Sequence, residues 1–434
     1  RTPEHQSTRA PRAPDDRCPN PVFRRLSRQA LAPTMAAIKA IAEMVATVAQ
    51  VKTVLIVGGG IAGCSTAIAL AQQGMQVTVL EKQPEWKFQS SGIFIYHNGL
   101  AALQKLGALD DILREGFAIA DGKNIYLDQQ GQPIVDTFYP TSSPEIPPIV
   151  GIKRAMLHRV LAGRMQALNV DIRLGCSLQS LDNANPESVS VVLSDGSQQQ
   201  YDLVIGADGL RSQVRGLLFG DLQPRYTGLG VWRSVHARPK DLDVKIMQMG
   251  QGKRLGIMPI SDETLYIFGT MPEPEGAWYE RERWPVLMRE RFAEFGGPVQ
   301  ALVNEISASS EVLYTAVEEV SAPLPWHRGR VLIIGDAAHA STPFMGQGGA
   351  MAMEDAVALG DLLAQPGEVA DLLQAFGQQR YPICQFVQNA SRKVGEAGAS
   401  EDASMLAARN DNMRRFAQQS VDDFYRQLDA LRVG

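Results

Sequence analysis

The strongest constraint in this sequence is a glycine turn, Val57-Gly58-Gly59-Gly60-Ile61-Ala62-Gly63, between an apolar run over residues 53–57 and an alanine-rich stretch over 61–73. Gly58, Gly60 and Gly63 have GxGxxG spacing, directly after a predicted strand and at the mouth of a predicted helix. In that setting each glycine has its own task. The first permits the tight turn, the second lets backbone approach a pyrophosphate, and the third lets helix lie close on strand. Ile61 and Ala62 open the helix, whose free N–H groups and positive dipole end favour a diphosphate. Gly74 stops the helix and residues 76–80 read as a second strand, so the segment is a βαβ unit with a buried parallel sheet. Glu81 closes that strand eighteen residues after Gly63, with Lys82 beside it. Its carboxylate is placed to accept the hydroxyls of an adenosine ribose and would repel a ribose phosphate. The turn predicts a site for FAD or NAD rather than NADP.

At 434 residues, 45% hydrophobic and 21% charged, the chain can bury a large core as one large or two closely joined domains. Lys plus Arg number 42 against 47 Asp plus Glu, a net charge of -5 that offers no broad basic face to nucleic acid or an anionic membrane. Runs of about 18 apolar residues are absent, so no transmembrane helix is expected. Cys18, Cys64, Cys176 and Cys384 form no CxxC pair, which fits free thiols in a reducing, cytoplasmic compartment. A monomer or homodimer is expected. Residues 1–34 are rich in Arg and Pro without apolar periodicity, and read as a disordered leader or an artefact of upstream translation. Organelle targeting by that segment is the alternative, and Glu4, Asp15 and Asp16 speak against it. Residues 35–50 carry Ile38, Ile41 and Val45 at helical spacing.

Past about Pro224 the pattern changes to short strands, at 244–249, 254–260 and 264–270, divided by polar turns. These predict an antiparallel sheet over 224–324, inserted between a first part at 51–223 and a return at 325–399, with a C-terminal helix at 400–434. Two further motifs follow buried strands. One is Gly206-Ala207-Asp208-Gly209 with Ser212 and Arg215; the other is Gly335-Asp336-Ala337-Ala338-His339, continuing through Pro343 and Gly346 to Gly348 and Gly349. Each puts an acid and glycines at the carboxyl end of a strand, where ligands of open α/β sheets bind. Alone, such dipeptides are ordinary turn chemistry. Three strand ends of this kind suit one extended cofactor, which favours FAD over NAD. The helix after Gly348 would aim its amides at negative charge on that cofactor, and Gly346, Gly348 and Gly349 let backbone come close.

With these motifs in place the chain resembles the group A, para-hydroxybenzoate hydroxylase-like, FAD-dependent monooxygenases over residues 52–391. The resemblance is carried by Gly58, Gly60, Gly63, Glu81, Asp208, Gly209, Ser212, Arg215, Gly335, Asp336, Pro343, Gly346, Gly348 and Asp355. It implies an α/β fold, α+β overall, with a Rossmann-like FAD-binding domain on a mostly parallel sheet, an inserted antiparallel substrate domain and C-terminal helices. It also implies Glu81 on the adenosine ribose, Asp208 and Gly209 near FAD and the nicotinamide coenzyme, and Asp336 on the ribityl or diphosphate region. Arg154 matches a helix arginine that contacts the cofactor, although Lys153 and Arg159 equally suit a solvated face. By the same resemblance NADH or NADPH reduces FAD, O2 adds to give a C4a-(hydro)peroxide, and one oxygen passes to a small aromatic or heteroaromatic substrate. Residues 346–355 resemble the subgroup of urate, salicylate and hydroxynicotinate hydroxylases and zeaxanthin epoxidase. An arginine common after the second strand is missing, with Lys87 the nearest cation. An epoxidase or Baeyer–Villiger oxygenase, a halogenase, a reductase and a non-catalytic flavin carrier share this fold; the halogenase signature WxWxIP is absent.

Because the cofactor carries the hard chemistry, no strong nucleophile or metal cluster is required. The six histidines show no ligand spacing, so no metal is expected, and His339 reads as structural. Arg225 and Tyr226, with Trp232, Arg233 and His236, are candidates to bind or deprotonate a substrate, against a plain edge-strand reading. His97 is a further catalytic candidate, in a segment that passes near flavin and substrate in the resembling family. Met247, Met249, Met258 and Met271 suit an apolar pocket or core filling.

Overall fold

The structure, a computed structural model, describes residues 51–86 and 91–433. The expected leader at 1–34, the helix at 35–50, Cys18 and Lys87 lie outside the described residues. In chain order β1 (Thr53–Val57), α1 (Ile61–Gln72) and β2 (Gln76–Glu81) make the βαβ unit. They are followed by β3 (Gly92–Tyr96), α2 (His97–Lys105), α3 (Leu109–Glu115), β4 (Phe117–Ile119), and a hairpin of β5 (Lys123–Asp128) and β6 (Pro133–Phe138). Next come β7 (Ile149–Lys153), α4 (Arg154–Ala167), β8 (Asp171–Leu174), β9 (Leu178–Asp182), β10 (Val189–Leu193), β11 (Gln198–Tyr201), β12 (Leu203–Gly206) and α5 (Gln213–Phe219). The inserted part holds β13 (Arg225–Ala237), β14 (Lys245–Met249), β15 (Arg254–Pro259), β16 (Thr264–Pro272), α6 (Trp284–Arg291), α7 (Pro298–Glu305) and β17 (Val312–Glu319). The return comprises β18 (His327–Arg328), β19 (Val331–Ile333), α8 (Asp336–His339), α9 (Gly348–Leu363), α10 (Val369–Gly398) and α11 (Ala403–Val433).

Six strands form the cofactor sheet in the order β18-β19-β12-β1-β2-β8, parallel except where β18 meets β19. Its middle strands are apolar on both faces, with Val54, Leu55 and Ile56 fully buried, as a sheet covered on both sides requires. The excursion and return expected from the sequence are present: β12 and β19 are neighbours although the inserted part lies between them in the chain.

Seven strands form the second sheet, β17-β13-β16-β15-β14-β5-β6, antiparallel except for the parallel pair β14 and β5. Two of its strands, β5 and β6, come from within residues 51–223, so the chain visits this sheet once before the insertion. No composition shift at residue 123 signals that early visit, because a short hairpin is closed by pairing with β14, over a hundred residues away. β13 lies between β17 and β16, so the edge-strand reading of residues 225–236 does not hold. Alternation sorts the sheet's side chains by face. Trp232, Ile246, Leu255, Ile257, Leu265 and Ile267 join Leu287, Met288 and Phe292 in a core on the helix-covered face. Their chain neighbours point the other way.

Among the described residues no helix is long and apolar enough to cross a membrane. Cys64, Cys176 and Cys384 are free and buried.

Candidate active site

β1, β12 and β19 reach the same level, Val57 beside Gly206 and Gly206 beside Ile333, so the three motif turns emerge side by side. A side-chain carbon on Gly58, where φ is +107°, would lie 2.5 Å from the carbonyl oxygen of Ala207, and one on Gly63 would lie 1.9 Å from that of Gly58. Backbone packing therefore demands both glycines. Nothing stands within 4 Å of the same position on Gly60. That opening belongs to a cavity of about 340 Å³, lined on this side by Gly60, Ile61, Ala62, Arg154, Gly209, Asp336, Pro343, Gly346, Gly348 and Gly349.

These residues fit FAD. α1 and α9 both start at the cavity with no acid in their first turn and no side-chain cap, leaving backbone N–H groups for an anionic ligand. Glu81 is held at the end of β2, accepting from the Gly59 N–H at 3.1 Å and the Gln83 N–H at 2.9 Å. Trp86 lies against Gly59 and meets the His158 ring edge-on at 4.7 Å. Arg154 opens α4, with its backbone N–H donating to the Ser91 carbonyl at 2.8 Å.

Behind the cradle are two braces. Asp208 accepts from Ser212 Oγ at 2.5 Å and from the N–H groups of Gln213 and Val214 at 2.7 and 3.1 Å, capping α5, while its neighbours Ala207 and Gly209 line the cavity. Arg215 then donates to the carbonyls of Leu210 and Ala337 at 2.7 and 3.1 Å, tying the second motif to the third. Asp355 of α9 accepts from the Gly335 N–H at 3.0 Å, from His339 Nε2 at 2.7 Å and from Arg380 Nε at 2.7 Å. Burial works against the carboxylate's charge, yet His339 and Arg380 hold its pKa down to about 2. Burial likewise opposes charge on His339, and Cys384 and Asp355 together raise it well above the usual histidine range. His339, Asp355 and Cys384 have their donor atoms within 4.8 Å of one another. Arg380 and His339 already neutralise the single carboxylate, so the cluster is a structural ion pair, in keeping with the structural reading of His339.

The opposite wall is the open face of the seven-stranded sheet, presenting Val231, Arg233, Lys245, Met247, Arg254, Tyr266, Phe268 and Thr270. Burial lowers the pKa of Lys245 to about 7 and those of Arg233 and Arg254 to about 10. A cofactor lying on the glycine turns would thus face a mixed aromatic and cationic surface across a single cavity.

Residues 51–391 match the FAD binding domain family. The chain belongs to this family. A putative FAD-dependent monooxygenase of Bacillus subtilis, YetM, is 32% identical over 359 residues, covering 81% of this chain and 96% of the relative. The 2-heptyl-3-hydroxy-4(1H)-quinolone synthase of Pseudomonas aeruginosa is 34% identical over 375 residues, 83% of this chain and 94% of that protein. The crystal structure of Klebsiella pneumoniae HpxO complexed with FAD and uric acid superposes with a TM-score of 0.77 at 26% identity, covering 88% of this chain and 96% of that one. This protein is an FAD-dependent monooxygenase, of the group A type that its motifs resemble.

Within this flavoprotein the catalytic candidates are dispersed. Arg225 is an exposed cation paired with Glu319, which also takes Arg392 at 3.1 Å. The Tyr226 hydroxyl donates to the Glu273 carbonyl at 2.6 Å. Neither lines the cavity, and nor does His97, whose buried ring lies 4.8 Å from that of Tyr425 with both nitrogens unpartnered. Burial lowers its pKa. Trp232 and His236 sit on the helix-covered face, His236 3.7 Å from Glu305, whereas Arg233, one residue from Trp232, faces the cavity. Of the four methionines, Met247 lines the cavity and Met258 is core. Lys82 is exposed beyond β2. Lys245, Arg254, Tyr266, Phe268 and Phe344 line the cavity without having been singled out. The available signal was a charged residue inside an otherwise apolar strand, as in Arg254-Leu-Gly-Ile-Met.

Proposed function

We propose that the protein hydroxylates a small aromatic or heteroaromatic compound, with NADH or NADPH as reductant and O2 as oxidant, in the cytoplasm. One observation carries the substrate half of this reading. The glycine cradle and the Phe268, Tyr266 and Met247 surface are walls of the same cavity, so a flat ring resting on that surface would meet the cofactor directly. The quinolone that one relative is named as synthesising and the uric acid bound in HpxO are flat heteroaromatic rings and support the same class.

Bound FAD would accept a hydride from the nicotinamide and activate O2 for transfer of one oxygen atom. The chain's own part is placement and exclusion of water. Glu81 and the starts of α1 and α9 would hold the cofactor, Asp336 would reach its ribityl or diphosphate region, and Arg154 and Gly209 would flank it. The apolar floor of Val231, Met247 and Phe268 would orient the ring.

Purified holoprotein, followed for NAD(P)H oxidation and O2 uptake against a panel of hydroxylated aromatics with product analysis, tests the reading. Stimulation of both by at least one ring compound, with one oxygen atom in the product, is the expected result; a panel that moves neither defeats it.

A further inference from the structure

The seven-stranded sheet carries a second concave feature on the face turned away from the cofactor. Val231 and Arg233 of β13 line the catalytic cavity, whereas Trp232 between them is fully buried on the other side. Register pairs Trp232 with Tyr314 of β17, and their rings stand 4.6 Å apart. The chain between β16 and α6 brings Trp278, Tyr279 and Arg281 to the same place, and with Trp284 and Tyr314 they enclose a cleft of about 440 Å³. No residue lines both this cleft and the catalytic cavity, so the two are separate.

Polar tips within the aromatic cluster are satisfied, with one exception. Trp232 Nε1 and the Tyr279 hydroxyl donate to the two oxygens of Glu273 at 3.1 and 2.6 Å, and Arg291 Nε donates to the same carboxylate at 2.9 Å. Trp284 Nε1 donates to the Tyr279 carbonyl at 2.9 Å. The Tyr314 hydroxyl is shut off from solvent on a residue only 9% exposed, yet among the described residues it has no hydrogen-bond partner. A buried hydroxyl left in that state is costly. Burial and the nearby Glu273 push its pKa up, so it keeps its proton and lacks an acceptor. Trp278 is the opposite case, 77% exposed at the rim. An open indole beside a buried donor offers an apolar body and one fixed polar contact, the combination that small-molecule sites use.

We infer that this cleft is a second binding site, for an uncharged planar ring that stacks on Trp278 and accepts a hydrogen bond from the Tyr314 hydroxyl through a carbonyl oxygen. Its volume lies within the range of small-molecule pockets, and the aromatic lining suits a flat partner. Charge argues against an ion. The ring faces already carry cations, Arg291 over Trp232 and Tyr279 at 5.0 and 4.8 Å and Arg281 over Trp284 at 5.6 Å. An anion would meet Glu280 and Glu282 on the lining, with Arg281 alone between them to offset two carboxylates. The inference is independent of what the catalytic cavity oxidises.

The test uses FAD-loaded full-length protein with coumarin and chromone as probes, beside naphthalene, which has the fused ring pair without the oxygen. Equilibrium dialysis gives total binding, and perturbation of the flavin absorbance reports the share held in the catalytic cavity. At least one carbonyl probe should occupy a site that leaves the flavin spectrum unchanged, and should bind there about fivefold more tightly than naphthalene, as one neutral hydrogen bond provides. Trp278→Ala should weaken that site about fivefold through lost stacking, and Tyr314→Phe should erase the preference over naphthalene. Both variants should melt like the parent, since Trp278 is exposed and the Tyr314 hydroxyl has no bond to lose. Probe binding seen only through the flavin, or flavin-silent binding that survives Trp278→Ala, overturns the inference. So does a site that takes naphthalene as tightly as coumarin and chromone, a comparison made on the parent that decides the matter even if a variant melts early.

Discussion

At the residue scale, the three glycines of the first turn separate packing from binding. Gly63→Ala would drive a methyl to 1.9 Å from the Gly58 carbonyl oxygen and should prevent correct folding, visible as loss of a cooperative thermal transition. Gly60→Ala meets no protein atom within 4 Å, so the chain should fold, yet FAD affinity should fall because the methyl occupies space reserved for the diphosphate. Glu81→Ala should weaken FAD binding by about 1–3 kcal/mol through loss of charged hydrogen bonds, measured by flavin fluorescence titration. Unchanged affinity would remove Glu81 from the site. The turn and its packing were legible in sequence because a turn is local. Asp208 shows the limit, since the same sequence signal that marks a cofactor acid also marks a helix cap, and only the Ser212, Gln213 and Val214 donors distinguish them. Lys245 was illegible because its significance comes from burial. Burial holds the Lys245 pKa near 7, while Tyr96 and Tyr139 are pushed well above 10 and Arg254 lies near 10. The unfolded lysine titrates near 10.5, so the folded state binds fewer protons between about pH 7 and 10.5, and Lys245's contribution becomes less unfavourable as pH rises through that window. Urea denaturation of the parent and of Lys245→Met between pH 6 and 9 checks this: the parent should gain stability relative to the variant as pH rises, and parallel profiles would overturn it.

Elements are joined here by buried charge as well as by apolar packing. Asp355 connects α9 to the Gly335 turn, to His339 of α8 and to Arg380 of α10, with the carboxylate fully buried. Asp355→Asn keeps the shape but leaves the protonated His339 without its anion and Arg380 with Glu354 alone, and should cost about 3–5 kcal/mol in urea denaturation, as breaking a buried pair does. Because the Gly335 N–H is one of the three donors, FAD affinity should fall with it. A variant as stable as the parent would show that His339 simply loses its proton. Element types and most bounds were readable from periodicity: 53–57, 76–80, 254–260 and 264–270 all became strands within two residues of expectation. What alternation withholds is which face is which. Trp232 and Arg233 are adjacent, and nothing local says that the indole enters the core and the guanidinium the cavity. That choice is made by α6 and α7, which cover one side of the sheet.

Across the whole molecule the last helix closes the structure behind the site. α11 buries Phe424, Tyr425 and Leu428 at 7%, 3% and 1% exposure, and the Tyr425 ring stands 4.8 Å from His97 and 6.1 Å from Tyr96. Gln347, which caps α9 at the cofactor end, donates to the Tyr425 hydroxyl at 3.4 Å and accepts from Asn98 Nδ2 at 2.8 Å. Arg409, near the start of α11, donates to the Gly250 carbonyl at 2.8 Å, so the helix spans from the seven-stranded sheet to the start of α9. The three apolar anchors alone are worth roughly 5–9 kcal/mol at about 1.5–3 kcal/mol each, against a typical total stability of about 5–15 kcal/mol. Ending the chain after Asp402 should therefore give protein without a cooperative melt and without bound flavin. Tyr425→Phe isolates the finer role: it keeps the ring contacts and removes the hydroxyl. Its melting temperature should stay within a few degrees of the parent, since a single neutral hydrogen bond contributes about 0.5–1.5 kcal/mol. FAD affinity should nevertheless drop measurably, because Gln347 loses one of the two partners that hold the start of α9. A Tyr425→Phe protein with unchanged flavin affinity would confine α11 to stability and detach it from the active site.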